Sequence, residues 1–273
     1  QQNELIKEKV QKQSNEENLN DISPNINQNI ETKTITRSEA INNSKRIKIE
    51  NNNIIGSLSL KGGLIDDISF KNYKTNLEDN ENVTFLNPKS TEDGYYIETG
   101  WTSIGNEIKV PNLNSTWNTV GNKNLSFNNP VTIEWNNGNG ITFRKKIELD
   151  EKYLFKISQK IQNKTNKTIK LYPYAQITRN KIPDDIQNFY ISHEGFIGVF
   201  DEQLKEDDYD DIEDKKIVRE ADEGWFGITD KYWMTAIVPE KGKNFKSTFL
   251  YKKTFKANYI LNTPTAVEPS SDG

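Results

Sequence analysis

The chain predicts an all-β fold, a large twisted antiparallel sandwich, and three observations carry that prediction. More than ten short apolar-alternating runs are separated by turn-forming residues. No run alternates strand with helical periodicity, so the βαβ rhythm of a parallel sheet is missing. All 28 aromatic residues fall between Phe70 and Tyr259, which marks where a core is built.

Residues 1–50 contain no aromatic and no glycine, and their charges balance at eight acidic and eight basic. The stretch Gln11–Asn29 has too little apolar surface to offset the entropy of ordering it. Residues 1–50 therefore read as a flexible tether and residues 51–273 as the sandwich domain, with the boundary near Ser44–Asn53. A short helix over Glu4–Gln13 rests on Ile6 and Val10 being four apart.

Beyond the boundary the elements follow in order. Leu58 and Leu60 alternate, and Gly62-Gly63 turns the chain into the run LIDDISF. Val131–Trp135 faces Ile141–Arg144 across an Asn/Gly-rich turn, a hairpin by composition and spacing. A second hairpin is expected between Tyr153–Gln162 and Thr168–Ile177, across Asn163–Lys167. Further strands read at Phe189–Phe200, Trp225–Pro239, Phe245–Tyr251 and Phe255–Leu261. No internal repeat period suggests a propeller or solenoid.

Composition removes much chemistry. The 273 residues hold no cysteine, which excludes disulfides, thiolate nucleophiles and Cys-ligated metals. A single histidine, His193, excludes any His-pair metal site. The formal charge of −4 argues against nucleic acid as a partner, because phosphate recognition wants a basic surface. No apolar run approaches the roughly 18 residues of a membrane-spanning helix. The 35 asparagines are spread among strands, as AT-rich codon usage produces, with no low-complexity tract. The chain opens on Gln1 and closes on the turn-like Pro269–Gly273, and it reads as a segment of a longer protein.

Few residues offer themselves as a site. His193 is read within a strand, where its neighbour Ser192 points to the opposite face, so the two make no nucleophile–base pair. A structural hydrogen-bond role fits it better. Asp66-Asp67 fails as a carboxylate pair for the same reason and is expected to satisfy backbone donors around the Gly62-Gly63 turn. The acidic stretch Asp201–Asp214 has nine carboxylates but neither the glycine nor the twelfth-position glutamate of a calcium loop. It reads as a solvated loop or short surface helix. Trp225 and Trp233 fall on one face of their segment, where core packing competes with sugar stacking. Any groove is sought first near Arg179, His193 and Glu194, which place polar groups among apolar strands. No catalytic, metal or cofactor-binding set emerges.

Several segments, in order, resemble the large periplasmic domain of the YidC membrane protein insertase family in its Gram-negative form. They are GSLSLKGGLIDDISFKNY (Gly56–Tyr73), VTFLNPKSTEDGYYIETGW (Val83–Trp101) and VPNLNSTW (Val110–Trp117). They continue through Asn129–Asn163, HEGFIGVF (His193–Phe200) and GWFGITDKYWMTAIVP (Gly224–Pro239). The resemblance implies a β-supersandwich similar to galactose mutarotase-like folds. It implies a transmembrane helix before the tether, a helical membrane core after the domain, and a location on the periplasmic side of the bacterial inner membrane. It further implies that the parent inserts and folds inner-membrane proteins, alone or with the Sec translocon and its accessory subunits. This domain would then dock partners or nascent membrane-protein segments, by strand addition or in a shallow groove. It would need no cofactor and carry out no catalysis. The fold alone suggests the alternative of a non-catalytic carbohydrate-binding domain. The chain stops where the family's last strand and closing helix are expected, so an unpaired edge is anticipated at Phe255–Leu261.

Overall fold

The computed structural model describes residues 34–76, 78, 80–103, 108–184 and 193–270. The expected helix at Glu4–Gln13 and most of the tether lie outside them. Strands appear in the order β1 (Arg46–Glu50), β2 (Ile54–Ser59), β3 (Leu64–Lys74), β4 (Asn82–Leu86), β5 (Tyr95–Thr102), β6 (Asn118–Val120) and β7 (Asn124–Leu125). They continue as β8 (Val131–Asn136), β9 (Ile141–Leu149), β10 (Phe155–Asn163), β11 (Ile169–Arg179), β12 (Gly195–Phe200) and β13 (Gln203–Asp207). The last are β14 (Ile217–Ala221), β15 (Gly224–Thr229), β16 (Met234–Ile237), β17 (Phe245–Tyr251), β18 (Phe255–Leu261) and β19 (Thr265–Val267). Among the described residues there are two short helices, α1 (Arg37–Asn42) before β1 and α2 (Tyr209–Asp214) between β13 and β14. Thr36 caps α1 through a reciprocal capping box with Glu39, which satisfies its first free amides.

The main sheet runs β14-β17-β18-β11-β5-β3-β2-β1-β7, with β19 added to β11 and β4 to β3. Every pairing in it is antiparallel except β1 with β7. Two four-stranded sheets, β10-β9-β8-β6 and β13-β12-β15-β16, pack over it. Register decides which face each covers. Thr99, Ala175, Tyr259 and Ser247 align across four neighbouring strands, and their odd-numbered companions point into the core. There Trp101 meets Phe143 of β9, while Phe196 and Phe226 of β12 and β15 meet Phe249 of β17. One continuous hydrophobic cluster results.

The Val131–Trp135/Ile141–Arg144 hairpin forms as expected, as β8 and β9. The second expected hairpin does not. β10 pairs with β9, and β11 leaves for the main sheet to pair with β5, β18 and β19. Asn163, fully buried, makes that crossing. Its amide donates to the Lys167 and Val267 carbonyls, while its Oδ1 accepts from the Thr165 amide at 3.0 Å. The segment Trp225–Pro239 is a hairpin rather than one strand, because the chain reverses between Asp230 and Trp233. The strand expected over Phe189–Phe200 starts only at Gly195, so His193 precedes it, and residues 189–192 lie outside the described part. Phe255–Leu261 is no unpaired edge, since β18 lies between β11 and β17 and bonds to both.

Residues before 51 also depart from the tether reading. Ile47 and Ile49 of β1 are fully buried, and Arg37 and Arg46 reach a carboxylate pair on β3. The pair exists because β3 carries a bulge. Ser57 pairs with Asp67 but Leu58 pairs with Ile65, leaving Asp66 as the extra residue. Strict alternation fails there, so both carboxylates turn to the same arginine-bearing face, and neither serves the Gly62-Gly63 turn. Arg46 bonds Asp66, Ser57 Oγ at 2.6 Å and the Ser57 carbonyl at 3.1 Å. Ser57 Oγ donates to Asp67 at 2.5 Å, and Arg37 pairs with Asp67. Burial pushes the Asp66 carboxyl up to about 6, against the pull of Arg46.

Removing one partner of a buried pair leaves an uncompensated charge. Arg46→Met is expected to cost ~3–5 kcal/mol near neutral pH, read from urea unfolding, with most of it restored by Asp66→Leu on the same chain. Without Arg46 the folded-state pKa of Asp66 rises further. The deficit therefore shrinks toward about pH 4, where the folded proteins both hold Asp66 protonated. A deficit independent of pH would contradict this assignment.

Candidate functional site

Arg179 closes β11 on the core-facing side. Its guanidinium lies 4.6 Å from the Tyr95 ring centroid and donates to Asp230 Oδ1 at 2.6 Å. Tyr209, at the start of α2, lies beside it and within electrostatic reach of Glu194. The His193 Nε2 donates to the Phe196 carbonyl at 2.8 Å, and its Nδ1 is 3.4 Å from Asp208. Arg179, His193 and Glu194 thus gather at one end of the sandwich around Tyr209. Arg179 and His193 spend their polar atoms on structural partners.

The aromatic candidates separate. Trp233 turns inward, 4.2 Å from Phe70 and 4.6 Å from Tyr73 between ring centroids. Trp225 does not share that inner face: its register partner Val199 follows the outward side of β12. The expectation of a shared face fails because the turn at Asp230–Trp233 resets the alternation. The acidic stretch Asp201–Asp214 becomes β13 and α2, with Tyr209 and Ile212 buried. Among the described residues no cluster of three or more histidines, aspartates or glutamates is arranged to hold a metal ion.

A polar row that the sequence reading missed crosses the main sheet on the face opposite the core. Glu98, Gln176, Asn258 and Thr248 are register neighbours on β5, β11, β18 and β17, and all are buried. Glu98 Oε1 accepts from the Tyr174 hydroxyl at 3.2 Å and the Gln176 amide at 3.4 Å. Asn258 donates to Gln176 Oε1 at 3.4 Å. The available signal was the polar residue at alternate positions in YYIETGW, YPYAQIT and KANYIL. Only register shows that these positions meet.

Close by, on β9, Lys145 is 2% exposed and donates to the Thr99 carbonyl at 2.6 Å, with its ammonium 4.6 Å from the Trp117 ring. A crevice is lined by Glu98, Trp117, Lys145 and Tyr174. Burial pushes the Lys145 ammonium down to about 7, opposed by Glu98. Burial also raises Glu98 above the usual carboxylate range, opposed by Lys256, the Tyr174 hydroxyl and Lys145. The row and the lysine are a desolvated polar network, with hydrogen-bonding groups turned mainly on one another.

A lysine depressed on folding costs stability while both states are protonated and regains it as pH rises toward its unfolded value. Lys145→Met is expected to stabilise the chain by ~1–4 kcal/mol at neutral pH. That advantage narrows between about pH 7 and 10 as the wild-type amine becomes neutral. Glu98→Gln keeps the acceptor for Tyr174 and removes the charge that favours the ammonium. It is expected to move the Lys145 titration, followed by its 13Cε shift, to lower pH. No movement would mean that Glu98 exerts no charge on Lys145 in the folded chain.

The profile described as YidC periplasmic domain matches residues 46–273. A protein named "Membrane protein insertase YidC" from Pelagibacter ubique is 44% identical over 266 residues, covering 97% of this chain and 47% of that protein. Namesakes from Jannaschia sp. and Rickettsia bellii are 36% and 37% identical, covering 78% and 90% of this chain and 36% and 45% of their own lengths. The chain thus spans less than half of each of these relatives. A galactose mutarotase related enzyme from Lactobacillus acidophilus superposes with a TM-score of 0.51 at 13% identity, covering 83% of this chain and 94% of that one. That likeness concerns the fold alone. By profile and by relatives, the chain belongs to the YidC periplasmic domain family.

Proposed function

We propose that this chain is the periplasmic-side domain of a membrane protein insertase, and that it docks polypeptides rather than catalysing a reaction. Its parent would insert and fold inner-membrane proteins, alone or with the Sec translocon and its accessory subunits. The relatives' name supports the first part. The observation that carries docking is that the sheets end on strands that no further described strand pairs with, β10, β14 and β16 among them. A free strand edge offers a row of amides and carbonyls to an extended segment.

Sugar binding, the competing reading, leans on the fold and on the Glu98–Gln176–Asn258 row. Those groups already bond one another, and Arg179 is held by Asp230. Apart from Glu98 Oε2, which has no partner among the described residues, a polyol would have to displace bonds already made, which disfavours it.

The test is deletion of residues 46–270 from the full-length parent. Recovery of Sec accessory subunits with the protein, and photo-crosslinks from nascent membrane proteins to its periplasmic side, are expected to fall together. Both readouts surviving the deletion unchanged would remove the docking role.

A further inference from the structure

The small sheet β13-β12-β15-β16 has two chemically different faces. Its inner positions, Phe196, Phe226 and Ile228, are in the core. Its outer positions are set by register: Leu204 beside Val199 beside Trp225, then Glu206 beside Ile197 beside Gly227 beside Ala236. On the terminal strand Met234 and Ala236 are exposed, and so are Tyr232 in the turn before it and Val238 just after it. Tyr232 and Val238 are 72% and 69% exposed. An edge strand usually carries a charge outward as protection. This one presents only the uncharged Met234 and Ala236 outward, with Tyr232 and Val238 flanking it. Gly227 lowers the centre of the face, and a Cβ there would sit 2.0 Å from the Thr235 carbonyl oxygen.

The edge itself is open. The Asp230 amide donates to the Trp233 carbonyl at 2.8 Å, which marks that pair as hydrogen-bonded. Bonded and non-bonded pairs alternate in an antiparallel ladder, so Thr235 and Ile237 bond inward to β15. The amides and carbonyls of Met234 and Ala236 therefore point away from the sheet, and no described strand lies beyond them.

One end of this face is acidic. The β12–β13 turn brings Asp201 and Glu202, the β14–β15 turn brings Asp222 and Glu223, and Glu240 follows β16. Asp201 accepts from the amides of Asp222 and Glu223 at 2.9 and 3.2 Å, which ties two of these turns together. Lys241 and Lys243 offset only part of that charge.

Together the geometry points to one occupant: an extended apolar segment of a client membrane protein, added as a strand along β16, with a basic residue at the end that meets Glu223 and Glu240. This rests on the docking reading above and assigns it to one surface. Uncharged side chains on alternate positions lie beside Met234 and Ala236 of β16, and the basic end is held by the acidic turns.

The probe is a fluorescein-labelled peptide of alternating valine and threonine carrying two lysines at one end, with a glutamate-tailed twin. The chain is expected to bind the lysine-tailed peptide about tenfold more tightly, and the gap should close near 1 M salt. Ala236→Pro removes one outward amide at an edge that tolerates proline, so binding is expected to be lost with the melting temperature unchanged. Ala236→Val is expected to retain it. Equal affinity for both tails, or binding indifferent to Ala236→Pro, overturns the assignment. So does a concentration-dependent dimer abolished by Ala236→Pro, since a second copy would then occupy the edge. Photo-crosslinkers at Val238 and Lys156 of the full-length parent separate the two levels. Nascent chains captured at Lys156 but not Val238 leave docking standing and this surface wrong, and silence at both positions counts against docking as well.

Discussion

The rest of the domain depends on where one extra residue sits in β3. A regular strand would send Asp66 and Asp67 to opposite faces, one of them into hydrocarbon without a partner. The bulge turns both to one side, and two buried carboxylates cannot remain there without cations. Arg46 and Arg37 supply them from the segment before the second strand. That demand draws β1 and α1 into the domain, and Ile47 and Ile49 then complete the core beneath. A polar constraint thus decides how far toward the N-terminus the folded unit extends.

Strand alternation organises the centre of the main sheet. On β5, β11, β18 and β17 the odd positions build the aromatic core and the even positions build the Glu98–Gln176–Asn258 row. The two sets share a backbone but differ in solvation. The core gains from area removed from water, whereas the row persists because each member meets another's hydrogen-bonding group. Lys145 enters from the second sheet without a carboxylate in contact, held by one carbonyl and one aromatic face. Such a network narrows what the face can bind, because a ligand must replace bonds already made.

The outer surface obeys different rules. At one end of the sandwich Arg179 is bonded to Asp230 and His193 to the Phe196 carbonyl, both within the chain. The surfaces left uncommitted are strand edges and the outer face of β12, β15 and β16. An apolar face without charges along its open edge is poorly adapted to water alone. Its acidic end gives it a direction, which a featureless sticky patch would lack.

From the sequence by itself the all-β class, the β8–β9 hairpin, the Gly62-Gly63 turn and the family were legible. Each depends on local alternation, turn chemistry or contiguous motifs, which a linear chain displays. The exchange of β10 and β11 between sheets, the central position of β18 and the membership of residues 37–50 were not legible, because they depend on pairings far apart in sequence. The site was less legible still. Asp66-Asp67 was misread because a bulge breaks the period of two, and Trp225 and Trp233 were misread because a turn resets it. Local composition set which strands form. Tertiary register, through which a single inserted residue or turn reverses the facing of every side chain beyond it, decided which residues meet.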